Sequence, residues 1–320
     1  MEAPARTVAY RTRTLPAIVP IGLAVVATAA WAAHGFLTTR NLGNLGLQGS
    51  ILLMLSMPMT LIIMSEGLDL SAGAVLSLCS VVMAFMLAAG HGLALALAAS
   101  LATGAVFGLA NGSLVSLFGL PPFVVTLATL GIAQGASLVL TDGNAVSGLG
   151  PGVAALYSAH LAGVPLPVAV ALATWLVTHT LLYHTRFGAC VFAIGGNRDA
   201  LVLAGTAAWA WHIAIYVYGG LVSGFAALLL TGRMNAAHPT VAIGMEFDAI
   251  AAVVLGGTSF ERGDGRLVGT VLGVATITVL RNGLDLAGIE SSLQVVSIGV
   301  MIMVVIVIDG ARKRWRRATP

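Results

Sequence analysis

Ten apolar windows dominate this chain, near residues 15–37, 49–65, 71–89, 92–118, 122–141, 165–183, 211–232, 247–257, 267–281 and 292–309. A helix crossing a bilayer needs about 20 predominantly apolar residues. Most of the windows approach that length, and 247–257 is short for a full span. Only 8% of the residues are charged, against about 25% in a typical soluble domain, so there is too little polar surface to cover a body in water. The alternating ten-residue pattern of a membrane barrel does not occur. The fold class that follows is an all-α membrane protein of about ten transmembrane helices.

With the N-terminus inside and every window crossing, all of the 15 Lys and Arg residues fall on the cytoplasmic side except Arg40, Arg233 and Arg281. That asymmetry is the positive-inside pattern and places both termini in the cytoplasm. It also accounts for the net charge of +3 without nucleic acid. The chain divides into a cytoplasmic segment 1–14, a transmembrane domain 15–309 and a basic tail 310–320, which is either an anionic-lipid anchor or a topology signal. Arg6, Arg11 and Arg13 precede an apolar run too long for a signal peptide, so the first helix reads as retained. Cys79 and Cys190 imply no disulfide framework.

Between the windows lie short breaks. Arg40, Asn41 and Asn44 form an outer loop after the first window, and Pro58 interrupts the second, either as a packing kink or to line a pathway. Glu66-Gly-Leu-Asp-Leu-Ser-Ala-Gly73 ends that helix. The loop from Thr141 to Val164 is long enough for a small cap or lateral helix. Gly104-Ala-Val-Phe-Gly108-Leu-Ala110 matches Gly269-Thr-Val-Leu-Gly273-Val-Ala275, with Asn-Gly following at Asn111 and Asn282. Glu66 and Asp69 stand upstream of the first copy as Glu246 and Asp248 stand upstream of the second. Opposite orientation of the copies makes an inverted repeat, a transporter signature; short matches in Gly/Ala-rich helices also arise by chance.

The polar island of residues 184–210 is either a connector or a docking surface, and spacing alone favours the connector. Its Gly195-Gly196-Asn197 turn followed by Asp199-Ala-Leu predicts a loop opening a short helix. Catalytic equipment is sparse. Lys313 is the only lysine, so a Gly-rich phosphate loop ending in lysine is absent, as are H-E-x-x-H, C-x-x-C and G-x-S-x-G. A proton-driven carrier keeps ionisable groups within its spans; here acids gather at segment ends and in loops, so energy must come from outside the chain.

The blocks Glu66-Gly-Leu-Asp-Leu-Ser-Ala-Gly-Ala-Val, Pro122-Phe-Val-Val-Thr-Leu-Ala-Thr-Leu, Ala193-Ile-Gly-Gly-Asn-Arg-Asp-Ala, Glu246-Phe-Asp-Ala-Ile-Ala-Ala-Val-Val-Leu-Gly-Gly-Thr-Ser and Asn282-Gly-Leu resemble the membrane subunits of ribose-type ABC importers in order and spacing. The chain departs from that family at Glu66, where many members carry a second glycine, and at Glu261-Arg262, where a glycine-rich turn is usual. The resemblance implies a non-enzymatic permease of the bacterial inner membrane, moving a monosaccharide or similar neutral solute by alternating access. It implies pairing with a second, same or similar, permease subunit around a pore, and an extracytoplasmic sugar-binding protein that delivers substrate. Two ABC ATPase subunits would hold ATP-Mg, this chain binding no cofactor. The family's ATPase-coupling helix maps onto Gly195, Gly196, Asn197, Arg198, Asp199, Ala200 and Gly205. Glu66, Asp69, Ser71, Glu246, Asp248 and Asn282 match family blocks; they either support helix ends, the favoured reading, or touch substrate. The rivals are a stand-alone secondary carrier and an intramembrane enzyme, for which the sequence offers no catalytic cluster.

Overall fold

A computed structural model describes residues 36–259, 263–301, 303 and 307. The segment 1–14, nearly all of the first apolar window, Glu261, Arg262 and the basic tail lie outside the described residues. The helices in chain order are α1 Thr39–Met64, α2 Ala72–Ala88, α3 Leu93–Ser116, α4 Pro122–Thr141, α5 Pro151–Ser158, α6 Leu166–His184, α7 Arg186–Leu203, α8 Ala208–Met234, α9 Met245–Leu255 and α10 Leu267–Leu286, then α11 Ser291–Met301. Four two-residue strands join them: β1 Val146–Ser147, β2 His160–Leu161, β3 Val164–Pro165 and β4 Ala236–Ala237. Among the described residues, α1, α3, α4, α6, α8 and α10 are long and apolar enough to cross a membrane. The protein is therefore all-helical and multi-pass.

One sequence expectation needs correction here. Arg40, Asn41 and Asn44 are not in a loop but in the first turns of α1, because Thr38 caps that helix, its Oγ1 accepting the Asn41 N–H at 3.3 Å. The window 247–257 is an 11-residue helix, α9, and at 1.5 Å per residue it spans only about 16 Å. It cannot cross a bilayer alone.

α2 and α9 start at one place and run apart. Gly73 in the first turn of α2 lies so close to the Glu246 carboxylate and the Ala242 carbonyl that a Cβ there would overlap both. One turn on, Ser77 Oγ accepts the Ala242 N–H at 3.1 Å. From this junction α2 leads to a cap where Val81 and Ala84 cluster with Leu149 and Ala237, and where β1 pairs with β4. The loop 142–165 here holds α5 and the β2–β3 hairpin. α9 leads the other way, to Gly256 packed on Gly269 near the start of α10.

Backbone contact, rather than large side chains, joins the long helices. Gly104 and Gly220 lie against each other's carbonyls, and Gly108 against the Tyr216 carbonyl, so α3 and α8 touch as antiparallel rods. Ser100 adds a hydrogen bond from Oγ to the Gly224 carbonyl at 2.8 Å. The matching glycines Gly269 and Gly273 press α10 onto Gly256 and Ala252. Lipid supplies little hydrophobic drive for helix association, so close approach through small residues does that work. Gly108→Leu is expected to lower stability in detergent by about 1–3 kcal/mol, the usual range for overpacking. Gly131→Leu on α4, which has nothing within 4 Å of the added Cβ, is the control; thermal unfolding of both checks the difference.

Candidate functional site

The residues singled out in the sequence fall into two groups, one at the α2–α9 junction and its neighbours, one at the α7 end. Asp69 sits in the segment 65–71 that leads from α1 into α2. Its Oδ1 accepts the Ser71 N–H at 2.8 Å and the Ser71 hydroxyl at 2.6 Å. Ser71 Oγ in turn accepts from Asn111 Nδ2 at 2.9 Å, and Asn111 Oδ1 accepts from Thr129 Oγ1 at 2.8 Å. This buried chain ties α2, α3 and α4 together. It borders a cavity of about 10 Å³, lined by Asp69, Ser71, Phe107, Asn111 and Ser223, close to the least volume that holds a water.

Glu246 is buried in the first turn of α9 and folds back to accept the Gly244 N–H at 3.0 Å. Negative groups at a helix N-terminus complement its macrodipole, and here two such ends face each other. Asp248 pairs with Arg281 at 2.6 Å, linking the first turns of α9 to the last turns of α10. Asn282 forms a reciprocal amide pair with Asn41, Nδ2 to Oδ1 at 2.8 and 2.9 Å, which joins α10 to the start of α1. Glu66 stands apart, exposed, at φ 60°. It is the C′ residue of a Schellman stop: the Glu66 N–H bonds the Ile63 carbonyl at 3.1 Å and the Gly67 N–H bonds the Ile62 carbonyl at 2.8 Å. A glycine fits that left-handed position without strain.

At the other end, the Gly195-Gly196-Asn197 stretch is not the expected turn. Helix α7 starts at Arg186 and runs through both glycines, breaking at Asn197 with φ −163° and ψ 91°. Gly195 is there for contact: a Cβ would overlap the Met64 carbonyl at the end of α1 and crowd Gly263. Gly196 faces open space. Asn197 caps the next segment, its Oδ1 accepting the Ala200 N–H at 2.9 Å. Gly205, at φ +77°, closes it with the same Schellman bonds, Gly205 N–H to Val202 O at 2.9 Å and Thr206 N–H to Leu201 O at 3.2 Å. Residues 198–203 are thus a short helix held at both ends. Asp199 and Ala200 are exposed on it and Arg198 is half-buried. Cys190 is buried, and burial pushes its thiol upward.

Sequence reasoning missed Asn41, Asn111 and Arg281 as partners, and Val202 and Leu203 as exposed apolar groups, Leu203 at 88%. The two apolar residues in the last turn of a polar island were the available signal. Among the described residues no group of three His, Cys, Asp or Glu side chains could hold a metal ion.

A family model described as branched-chain amino acid transport system / permease component matches residues 41–306. A ribose import permease protein of Bacillus subtilis (strain 168) is 40% identical over 86% of this chain and 86% of its own. The ribose import permease protein of Escherichia coli (strain K12) is 34% identical over 91% and 92%, and a D-allose transport system permease protein of the same strain 33% over 86% and 84%. No solved structure matches.

Two outcomes are expected here. Glu66→Gly should raise stability by about 1 kcal/mol, the cost of holding a non-glycine residue left-handed, read as a higher unfolding midpoint. Asp248→Asn and Arg281→Met should each destabilise by roughly 2 kcal/mol, below the ~3–5 kcal/mol of a fully buried pair, because Arg281 is 37% exposed. In a double-mutant cycle the combined variant should lose less than the sum; strict additivity would mean the pair carries no coupling.

Proposed function

This chain belongs to the family of branched-chain amino acid transport system / permease components, and from that premise we propose that it is the permease subunit of an ATP-driven importer for a monosaccharide or similar neutral solute. The family description names amino acids, but relatives at 33–40% identity along nearly the whole chain carry the names of ribose and allose permeases. Likeness at that level outweighs a family-wide label. The buried acids are each engaged, Asp69 by Ser71, Glu246 by Gly244 and Asp248 by Arg281, which leaves a weakly polar interior suited to an uncharged cargo.

In this reading the α7 end faces the cytoplasm of a bacterial inner membrane. Arg186, Arg198 and Arg266 lie at that end and Arg40, Arg233 and Arg281 toward the other, in keeping with the positive-inside rule. Ten spans and both termini inside follow if the window 15–37 and the completed α11 also cross, and if α2 and α9 each complete a span together with the segment that leads into it, 65–71 and 235–244. An inverted repeat has structural support: long helix, connecting segment and short helix occur as α1, 65–71, α2 and again as α8, 235–244, α9. Each set is followed by a glycine-striped helix, α3 or α10, that carries a buried asparagine, Asn111 or Asn282.

One observation carries the coupling role: a short helix, 198–203, capped by Asn197 and stopped at Gly205, presents Val202 and Leu203 outward. An apolar tip on a rigid helix suits insertion into a groove of an ATPase subunit, since a floppy connector would absorb the displacement. A second permease, two ATPases and an extracytoplasmic binding protein complete the machine. Reconstituted with an ATPase subunit pair and a binding protein that complete the importer, the chain should take up sugar only with ATP. Leu203→Glu should cut ATPase co-purification and uptake together, about tenfold each for loss of a buried apolar anchor, with membrane insertion unchanged. Uptake by the lone chain without ATP would establish the secondary-carrier alternative instead.

A further inference from the structure

Beside the 198–203 helix a cleft of about 420 Å³ opens between the ends of α3, α7 and α8. Its polar lining residues are Ser116, Arg198 and Thr206, and its apolar ones include Val202, Ala208 and Trp209. Ser116 is 9% exposed and its hydroxyl, at the last residue of α3, has no hydrogen-bond partner. Arg198 has no salt-bridge partner among the described residues. The cleft also takes in the opening of α8, a 27-residue helix whose N-cap residue is Ala207 and whose first turn has no side-chain cap. Of its first amides, the Ala208 N–H bonds the Thr206 carbonyl at 2.8 Å and the Ala210 N–H the Ala207 carbonyl at 3.0 Å, and the helix start carries the positive end of the dipole. One turn along the same face, His212 is buried with neither ring nitrogen partnered.

An unsatisfied buried hydroxyl, a guanidinium without an ion-pair partner among the described residues and the positive end of a helix border one opening, and together they suit an anion with several acceptor oxygens. The apolar lining and Trp209, 49% exposed, suit what would be attached to that anion, because tryptophan favours the level of lipid headgroups. A carboxylate on a protein side chain would engage the polar residues and leave the apolar lining unused. A phospholipid engages both. We propose that this cleft binds the phosphate of an acidic phospholipid headgroup from the adjoining leaflet, next to the coupling helix. The inference rests on membrane insertion, not on what the chain carries, and it gives the lipid a direct hold on the position of α7.

The test uses the delipidated full-length chain in neutral detergent, with dihexanoyl phosphatidylglycerol, dihexanoyl phosphatidylcholine and inorganic phosphate as probes, followed by native mass spectrometry and thermal shift. One phosphatidylglycerol per chain should bind, about tenfold more tightly than phosphatidylcholine, as expected where net charge is read. Ser116→Val and Arg198→Gln should each weaken it about tenfold, Arg198→Lys much less, and Arg233→Gln at the opposite end not at all. Unchanged unfolding midpoints without lipid show that the variants fold; should Ser116→Val fail that check, Ser116→Ala replaces it. Equal affinity for the two lipids overturns the proposal, as does undiminished binding in the Ser116→Val/Arg198→Gln double variant. Inorganic phosphate matching phosphatidylglycerol would make this a site for free anions and overturn the lipid source. So would loss of ATPase binding in the double variant with phosphatidylglycerol retained, which assigns the cleft to an acidic side chain of that partner.

Discussion

Two helices that begin nose to nose are the arrangement on which the rest of this structure depends. A helix N-terminus carries roughly half a positive charge, so bringing the starts of α2 and α9 together at Gly73 and Glu246 would be repulsive without compensation. The carboxylates of Asp69 and Glu246 supply it, each hydrogen-bonded to backbone N–H at its own helix entrance. Irregular backbone is tolerated at membrane depth only where protein satisfies it. Here Ser77 takes the Ala242 N–H and Thr126 donates to the Leu68 carbonyl. Glycine at position 73 is therefore required by space: a methyl group would separate the two ends by pushing Glu246 away.

The same economy of side chains makes the bundle stiff. Where glycine faces a carbonyl across two helices, as at Gly104 and Gly220, there is no flexible group between the rods to absorb a shift. Hydroxyl pairs add short cross-links, Ser80 to Thr231 at 2.7 Å and Thr60 to Thr270 at 2.8 Å. Such contacts break or hold; they do not stretch.

The apolar windows made the helical layout legible, since length and hydropathy are written locally. What could not be read was the purpose of individual polar residues and glycines. Gly195 looked like a turn former because glycine commonly supplies positive φ, whereas only the fold reveals that Met64 lies against it. Asn41 looked like loop polarity because its partner Asn282 is 241 residues away. Asp248 looked like a loop acid for the same reason, its counter-ion Arg281 sitting a whole helix further on. The Asn197 cap and the Gly205 stop, by contrast, are local devices, and their sequence spacing gave the short helix between them though not the helical run before it.

These pieces join into one path. Gly195 touches the last carbonyl of α1 and the backbone at Gly263, and Gly265 packs on the Met64 side chain. Met64 leads through residues 65–71 into the start of α2, while 263–265 follows the end of α9. A displacement of α7 is thereby delivered to both short helices at once, at the α1 end of one and at the far end of the other. Because α2 and α9 abut at their starts, they cannot both move along their axes toward each other; the permitted response is to separate or rotate at the junction. For the proposed importer, that makes the meeting point of the two short helices the place where a push from the ATPase side is converted into a change at the centre of the bundle.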